Sequence, residues 1–386
     1  MAFINRLWTH FSGDTKQLQK QTDALKIGIL GAANICNMAL LNPASKLPNV
    51  LIYGVAARDR QKAEAFARKH YIPKRFCFEV YDNYDQLLAD PDITAIYNPL
   101  PNGLHYEWTM KALRSGKHVL CEKPMTNNAQ EAREMVDEAK KQNRLLVEAF
   151  HYRYHPFCRE TVKNTISNRD ENGPVRSITG VFTVPEKFLQ NNDIRFQYPL
   201  GGGAQMDLGC YLVSMCRYIV NTHNNRTEQN EGEFEVQKAK ALRVSPTNPQ
   251  IDRGMRSEFQ LDGIQCNIYN EFTNDWSFMK QQLVIECEKV TITIAYLIAP
   301  VFYHYLTIRQ RDNGQTRTIK NYGDNQSTYY YQLKAFAEAI RCFQNDGSLD
   351  RAYEIVYTTG TSAIRNMEII DEIYRKAGLL VRGTKN

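Results

Sequence analysis

From Lys26 to Phe150 the chain alternates short apolar, β-rich runs with amphipathic stretches of helical period, and this alternation constrains the fold more than any other feature. Lys26 to Leu30, Leu51 to Ala57, Phe76 to Phe78, Ala95 to Tyr97, Val119 to Cys121 and Leu145 to Ala149 read as strands. A Gly/Ala turn after the first of them leads into a helix towards Leu41. Gln61 to His70, Tyr84 to Ala89, Tyr106 to Ser115 and Ala129 to Gln142 read as further helices. Strands separated by helices join as parallel crossovers, so this part is α/β: a doubly wound parallel sheet with helices on both faces.

After Ala149 the pattern changes. Val175 to Val184, Glu235 to Val244, Met255 to Leu261, Gln265 to Phe272, Gln282 to Glu286, Val290 to Ala295 and Tyr303 to Gln310 read as strands, with Asp262-Gly263 as a two-residue hairpin turn. They predict a second, α+β domain with a mostly antiparallel, open-faced sheet. Apolar residues such as Ile292, Ile294 and Tyr296 fall on one face; if helices cover only the first domain, the sheet needs a partner subunit as its cover. Asn164 to Gly173 and Asn221 to Glu233 read as polar surface loops. Tyr330 to Gln344 and Leu349 to Ala377 read as closing helices, the last stopped by Gly378. The expected domains are an N-terminal arm over 1–25, the parallel domain over 26–149, and the α+β domain over 150–386, whose last helices pack back towards the first.

A length of 386 residues accommodates this division. Lys plus Arg is 48 against 42 Asp plus Glu, with no dense basic run, so nucleic acid is not the expected partner. The longest apolar stretches, such as Ile292 to Tyr303, fall short of the roughly 18 residues that a membrane span needs. Nine cysteines without a Cys-x-x-Cys pair point to reduced thiols and a cytoplasmic protein. Phe3, Leu7 and Phe11 lie at helical spacing beside Arg6 and His10, as in a mitochondrial presequence, but Arg and Ser are too few; an arm packing on the body or on a partner subunit fits better. His105, His151 and His155 match no closed ligand spacing, so no metal is expected.

The first strand runs into Gly31-Ala32-Ala33-Asn34-Ile35-Cys36. A phosphate-binding turn usually carries three glycines, for a tight bend and close backbone approach; here Ala33 and Cys36 stand at two of those places. One glycine before a helix also fits an ordinary turn, and only its place after the first strand of a βαβ pattern favours the dinucleotide reading. The second strand ends at Arg58, a basic group that would accept a 2′-phosphate and so argues for NADP; Asp59 reads as a cap for the next helix, and a solvated surface role for Arg58 stays open. Asn98-Pro99-Leu100-Pro101-Asn102-Gly103-Leu104-His105 and Cys121-Glu122-Lys123-Pro124 each follow a strand, at the carboxyl edge where such sheets bind ligands. Lys123 would bring a cation into that cleft; by spacing alone, a structural salt bridge with Glu122 fits equally well.

Together with Ala57-Arg58-Asp59 and the segment Gly201-Gly202-Gly203-Ala204-Gln205-Met206-Asp207-Leu208-Gly209-Cys210-Tyr211, these motifs resemble the Gfo/Idh/MocA oxidoreductases over about Lys26 to Leu380. The greatest similarity is to the branch of dimeric dihydrodiol dehydrogenase and NADP-dependent D-xylose 1-dehydrogenase. The resemblance implies a Rossmann domain followed by a largely antiparallel sheet that forms a homodimer contact. It implies NADP, with NAD as the alternative, held by Gly31, Ala33, Asn34, Ile35, Arg58, Asn98, Pro99, Leu100, Asn102, His105, Glu122 and Lys123. It implies Lys123, Asp207 and Tyr211 as the catalytic set, Tyr211 standing where much of the family has His. Arg153 and Arg195, with Asp207 and Tyr211, would meet a carbohydrate or diol substrate, and Glu148 would lie near cofactor or substrate. Out of context, Tyr211 would read as a core aromatic and Asp207 as a helix cap. The implied reaction is oxidation of an aldose such as D-xylose at C1 to the lactone. Trans-dihydrodiol dehydrogenation, 1,5-anhydrofructose-type reduction and a non-catalytic cofactor sensor are the alternatives.

Overall fold

The computed structural model describes residues 18–58, 60–69, 79–81, 83–189, 193–274 and 279–384. By its internal contacts the chain divides into two units. The first takes the residues up to Met125, then Glu131–Tyr154 and Asn325–Gly360; the second takes Thr126–Gln130, His155–Asp324 and the residues from Thr361.

The first unit is built on six parallel strands: β1 (Leu25–Leu30), β2 (Val50–Ala56), β3 (Glu79–Tyr81), β4 (Ala95–Asn98), β5 (His118–Cys121) and β6 (Leu146–Glu148). Their spatial order is β3-β2-β1-β4-β5-β6, so the winding reverses between β1 and β4. Every residue of β4, β5 and β6 is buried, as a parallel sheet covered on both faces requires. After β1 a π-helical turn (Asn37–Leu41) continues as α1 (Asn42–Ser45). Then come α2 (Arg60–Lys69), α3 (Tyr84–Ala89), α4 (Asn102–Arg114) and α5 (Ala129–Lys141). The expected strand Phe76–Phe78, the Asp59 cap and the first 17 residues of the expected arm lie outside the described residues. The part of the arm that is described sits on the body. Lys20 Nζ donates to Ala44 O at 2.6 Å and Leu47 O at 2.8 Å, a cation on the carboxyl end of α1.

In the second unit the stretch expected as a loop over Asn164 to Gly173 is instead two short helices, α6 (Lys163–Ser167) and α7 (Arg169–Asn172). Asn168 caps α7 by accepting the Glu171 N–H, and Gly173 ends it at φ +73. Likewise α8 (Cys210–His223) runs on into the expected loop at Asn221. The polar residues there conceal a buried turn, in which His223 Nε2 accepts the Val175 N–H at 3.3 Å.

The second sheet has eight strands: β7 (Val175–Pro185), β8 (Phe234–Val244), β9 (Asp252–Leu261), β10 (Ile264–Thr273), β11 (Lys280–Cys287), β12 (Val290–Ala295), β13 (Tyr305–Gln310) and β14 (Thr316–Ile319). Their order is β14-β13-β12-β11-β7-β10-β9-β8. Every neighbouring pair is antiparallel except β7 with β10. Asp262 and Gly263, at φ +50 and +76, make the β9–β10 turn that their sequence predicts. The apolar face carries Ile178, Ile268, Leu283, Ile292 and Ile294, all buried within the unit. Gly180 lies so close to Leu212 of α8 that a Cβ there would come within 3.1 Å of its side chain. Helix α8 therefore covers this face, which corrects the expectation that helices cover only the first domain. Tyr296 lies past the end of β12, at φ +56.

The expected helix Leu349 to Ala377 is broken. After α9 (Thr328–Asp346), the chain forms α10 (Leu349–Ile355) and α11 (Gly360–Lys376) with an extended link between them. The link pairs with β6: Glu148 N–H donates to Thr358 O at 3.1 Å, and Val147 bridges Thr359. Helix α9 belongs to the first unit, where Leu333, Phe336 and Ile340 join Ile27, Ile29, Leu40 and Val55 in one core.

Candidate active site

The carboxyl edge of the first sheet collects the residues expected to hold a cofactor. At the β1/β4 reversal, Gly31 has φ +88, and a Cβ there would lie 2.8 Å from Leu100 Cδ2. Its N–H donates to Ala56 O at 2.7 Å, tying the turn to β2. Ala33 and Ile35 are half-buried and Asn34 is exposed where the turn enters the π-helical segment. Arg58, at the end of β2, is exposed. Tyr84, which the sequence marks only as the start of a helix, also stands at the Gly31 turn. Its hydroxyl lies 3.6 Å from where a Gly31 Cβ would be; burial pushes that hydroxyl's pKa up, and the Arg58 charge works against the rise. The tyrosine stands edge-on to Trp108, centroids 4.7 Å apart. The cap Asn83, whose side chain accepts the Gln86 N–H, was the one local signal that fixes Tyr84 at the start of α3.

Several expected cofactor residues spend their polar atoms on the loops themselves. Asn98 is fully buried; its amide donates to Thr109 Oγ1 at 3.0 Å and its carbonyl accepts the Leu100 N–H at 3.3 Å. His105 is fully buried between Leu100 O at 2.6 Å and Pro124 O at 3.0 Å, so one ring joins the loops after β4 and β5. Burial holds its pKa down at about 4, and the neutral ring has one N–H to give to these two carbonyls. Pro99 is buried and Asn102 opens α4.

Glu122 accepts the Tyr97 hydroxyl at 2.7 Å. Lys123 is half-buried, and its peptide bond to Pro124 is cis. The loop behind it is braced by Glu148, which is buried and accepts the Met125 N–H at 2.9 Å. His151, its pKa held at about 3 by burial and then by the Lys123 charge, stacks on Tyr329 at 3.9 Å. Arg153 follows in the same 3-10 turn, His151–Tyr154.

In the second unit, Arg195 and Asp207 come together, and Tyr211 follows four residues after Asp207. Asp193 caps a 3-10 turn (Ile194–Phe196) by accepting the Arg195 N–H at 3.0 Å. Arg195 Nε donates to Asp207 Oδ2 at 2.7 Å, and its Nη1 to both Asp193 oxygens at 3.0 and 3.1 Å. Asp207, then burial acting in opposition, then Asp193, leave the guanidinium pKa above its usual value, so the group stays charged. Asp207 is no helix cap, because the π-helical turn Gln205–Gly209 already encloses it. Tyr211 comes four residues later, on the same helical face, 6% exposed and edge-on to Phe182. A phenol hydroxyl can exchange a proton, and a carboxylate and a guanidinium can accept from and donate to the hydroxyls of a polyol. Among the described residues, no group of three or more His, Cys, Asp or Glu could hold a metal ion.

Residues 25–150 match the family model described as "Oxidoreductase family, NAD-binding Rossmann fold" (GFO_IDH_MocA). The dTDP-3,4-didehydro-2,6-dideoxy-alpha-D-glucose 3-reductase of Streptomyces violaceoruber is 33% identical over 360 residues, 92% of this chain and 96% of that protein. The D-xylose 1-dehydrogenase (NADP(+)) 2 of Haloferax volcanii is 38% identical over 200 residues, 51% of this chain and 58% of that one. With several curated relatives the match spans little more than half of their length. Among solved structures, KijD10, a 3-ketoreductase from Actinomadura kijaniata in complex with NADP and TDP-benzene, aligns at TM-score 0.75 and 22% identity, over 92% of this chain and 98% of that one. This last likeness is one of fold.

Proposed function

The chain belongs to the Gfo/Idh/MocA oxidoreductases, and from that premise we propose that it is an NADP-dependent sugar oxidoreductase, with Tyr211 as its acid/base. The observation that carries the reading is the placement of Asp207 and Tyr211 on one helical face, with Arg195 locked onto Asp207. The β1/β4 turn suits a dinucleotide. Gly31 has the positive φ that favours glycine at such a turn, the turn follows β1 at the β1/β4 reversal, and a basic residue stands at the end of β2. When bound, the nicotinamide would give or take the hydride.

Tyr211 Oη would take the substrate hydroxyl proton as hydride leaves the same carbon, and would return it in reduction. A tyrosine hydroxyl ordinarily titrates near 10, and Lys123 is proposed as a further member of the catalytic set. Asp207 and Arg195 orient neighbouring substrate hydroxyls, the carboxylate accepting and the guanidinium donating. We favour an aldose such as D-xylose, oxidised at C1 to the lactone. The long match to a dTDP-sugar 3-reductase favours a second reading, reduction of a keto sugar by the same groups in reverse. We place the protein in the cytoplasm. We also propose a homodimer through the sheet face opposite α8, where Val181, Val284 and Tyr269 are half-exposed.

The test is a screen of NADP reduction and NADPH oxidation with aldoses, keto sugars, nucleotide sugars and dihydrodiols, followed by a double-mutant cycle on the best substrate. Tyr211→Phe and Lys123→Met should each lower kcat by about 10²–10⁴-fold, and the pair by far less than the product. Near-full turnover in Tyr211→Phe would remove Tyr211 from the chemistry. Binding of NADP with turnover of nothing on the panel would favour a sensor.

A further inference from the structure

Behind the Gly201–Gly203 turn lies an ion pair that the reading above does not use. Arg382 and Asp252 are both fully buried, with Nη2 2.8 Å from Oδ1. Asp252 opens β9, and its two oxygens are spent in different directions. Oδ1 also accepts the Tyr374 hydroxyl at 3.0 Å, while Oδ2 accepts the Gln205 N–H at 2.6 Å. Arg382 is as fully committed: Nε donates to Gly202 O at 2.7 Å, Nη1 donates to Leu380 O at 2.9 Å, and the guanidinium lies 4.1 Å from the Tyr374 ring centroid.

The turn held in this way is the one that connects Arg195 to Asp207. Gly203 N–H donates to Arg195 O at 2.9 Å, and Asp207 N–H donates to Gly203 O at 3.0 Å. A Cβ on Gly203 would lie 2.3 Å from Asp252 Oδ1, and one on Gly202 would lie 2.5 Å from Arg195 O. The glycines are therefore required by the close approach of the pair on one side and of the Arg195 backbone on the other. Arg382 grips the turn at Gly202 and Asp252 grips the helix start at Gln205, two residues before Asp207.

Buried ion pairs are weak sources of stability, since desolvation cancels much of the attraction. This one joins its surroundings through the backbone atoms that set where Arg195 and Asp207 stand. We infer that Arg382 and Asp252 are positioning residues for the Arg195–Asp207 pair and, four residues on, for Tyr211. The inference rests on the assignment of Tyr211 and Asp207 to the chemistry.

The test removes both charges together, because either single loss would strand the other charge in the core. Arg382→Met/Asp252→Asn should fold, bind NADP with wild-type Kd, and exchange amide hydrogens faster over residues 201–211. Its kcat on the best sugar should fall by about 10- to 100-fold, the scale expected for a displacement of roughly 1 Å, with KM changed by less than about threefold. If the double variant does not fold, Arg382→Lys keeps the charge but lacks the Nε–H for Gly202 O, and carries the same readouts. Wild-type kcat in a folded variant overturns the positioning role, whatever the exchange shows. If the wild type itself turns over no substrate, the functional reading has failed, and unchanged exchange over 201–211 separately overturns the clamp.

Discussion

Acid should unfold this protein through its buried histidines, and His118 allows the effect to be isolated. It opens β5, is 4% exposed, and accepts the Leu145 N–H at Nδ1 at 3.0 Å. Burial first, then the Arg144 charge, hold its pKa down at about 3, against 6.5 in the open chain. Between those values the unfolded chain binds a proton that the folded one refuses, so stability falls as pH drops from about 6.5 towards 3. Each pH unit across that window is worth about 1.4 kcal/mol for one such group, so acidifying from pH 7 to 4.5 costs about 3 kcal/mol from His118 alone. His151 and His155, at about 3, and His105, at about 4, contribute with the same sign. In His118→Asn an amide oxygen can replace Nδ1 as the acceptor without titrating. Urea unfolding followed by circular dichroism between pH 4.5 and 7 should show the pH-dependent loss reduced by about 3 kcal/mol relative to wild type. An unchanged slope would mean that His118 is protonated in the folded state and that its burial does not control its charge.

Two further outcomes follow from the cofactor and assembly readings. Arg58→Ala should raise Kd for NADP by roughly tenfold to a hundredfold, the scale of one charge-assisted phosphate contact, and leave NAD binding unchanged; titrations giving equal wild-type affinity for the two cofactors would refute it. Sedimentation velocity at micromolar concentration should find a dimer, and Val284→Lys on the face opposite α8 should shift it to monomer; a wild-type monomer would refute the proposed contact.

Wherever burial and backbone period agree, the elements were legible in the chain. β4 and β5 are short, fully buried runs because the sheet they belong to is covered on both faces, and Asp262-Gly263 is a hairpin because its two positive φ values suit those residues. The misses occur where local pattern and tertiary demand part company. β14 reads Thr-Arg-Thr-Ile, too polar to announce a strand, and is held only as an edge beside β13. The link Val356–Thr359 sits inside a helical pattern, but its backbone is claimed by β6. The sequence motifs named Asp207 and Arg195 separately; nothing in their spacing says that one is the other's counter-ion.

A motif places a polar residue near a ligand without saying whether it touches the ligand or holds the loop that does. Asn98, His105 and Glu148 show how the distinction is made. Each is buried, and each directs its polar atoms at backbone or at a neighbouring hydroxyl: Asn98 at Thr109 and Leu100, His105 at Leu100 and Pro124, Glu148 at Met125. Such bonds, shielded from water, hold together the loop after β4 and the loop after β5 that carries Lys123. Arg58 and Asn34, by contrast, are exposed at the same edge. The absent side chain at Gly31 makes room for Leu100, and Leu100 is itself held by Asn98 and His105. Under the proposed cofactor site, substitutions at Asn98 or His105 should therefore disturb cofactor binding through Leu100 and the Gly31 turn, whereas Arg58→Ala should act through the 2′-phosphate alone.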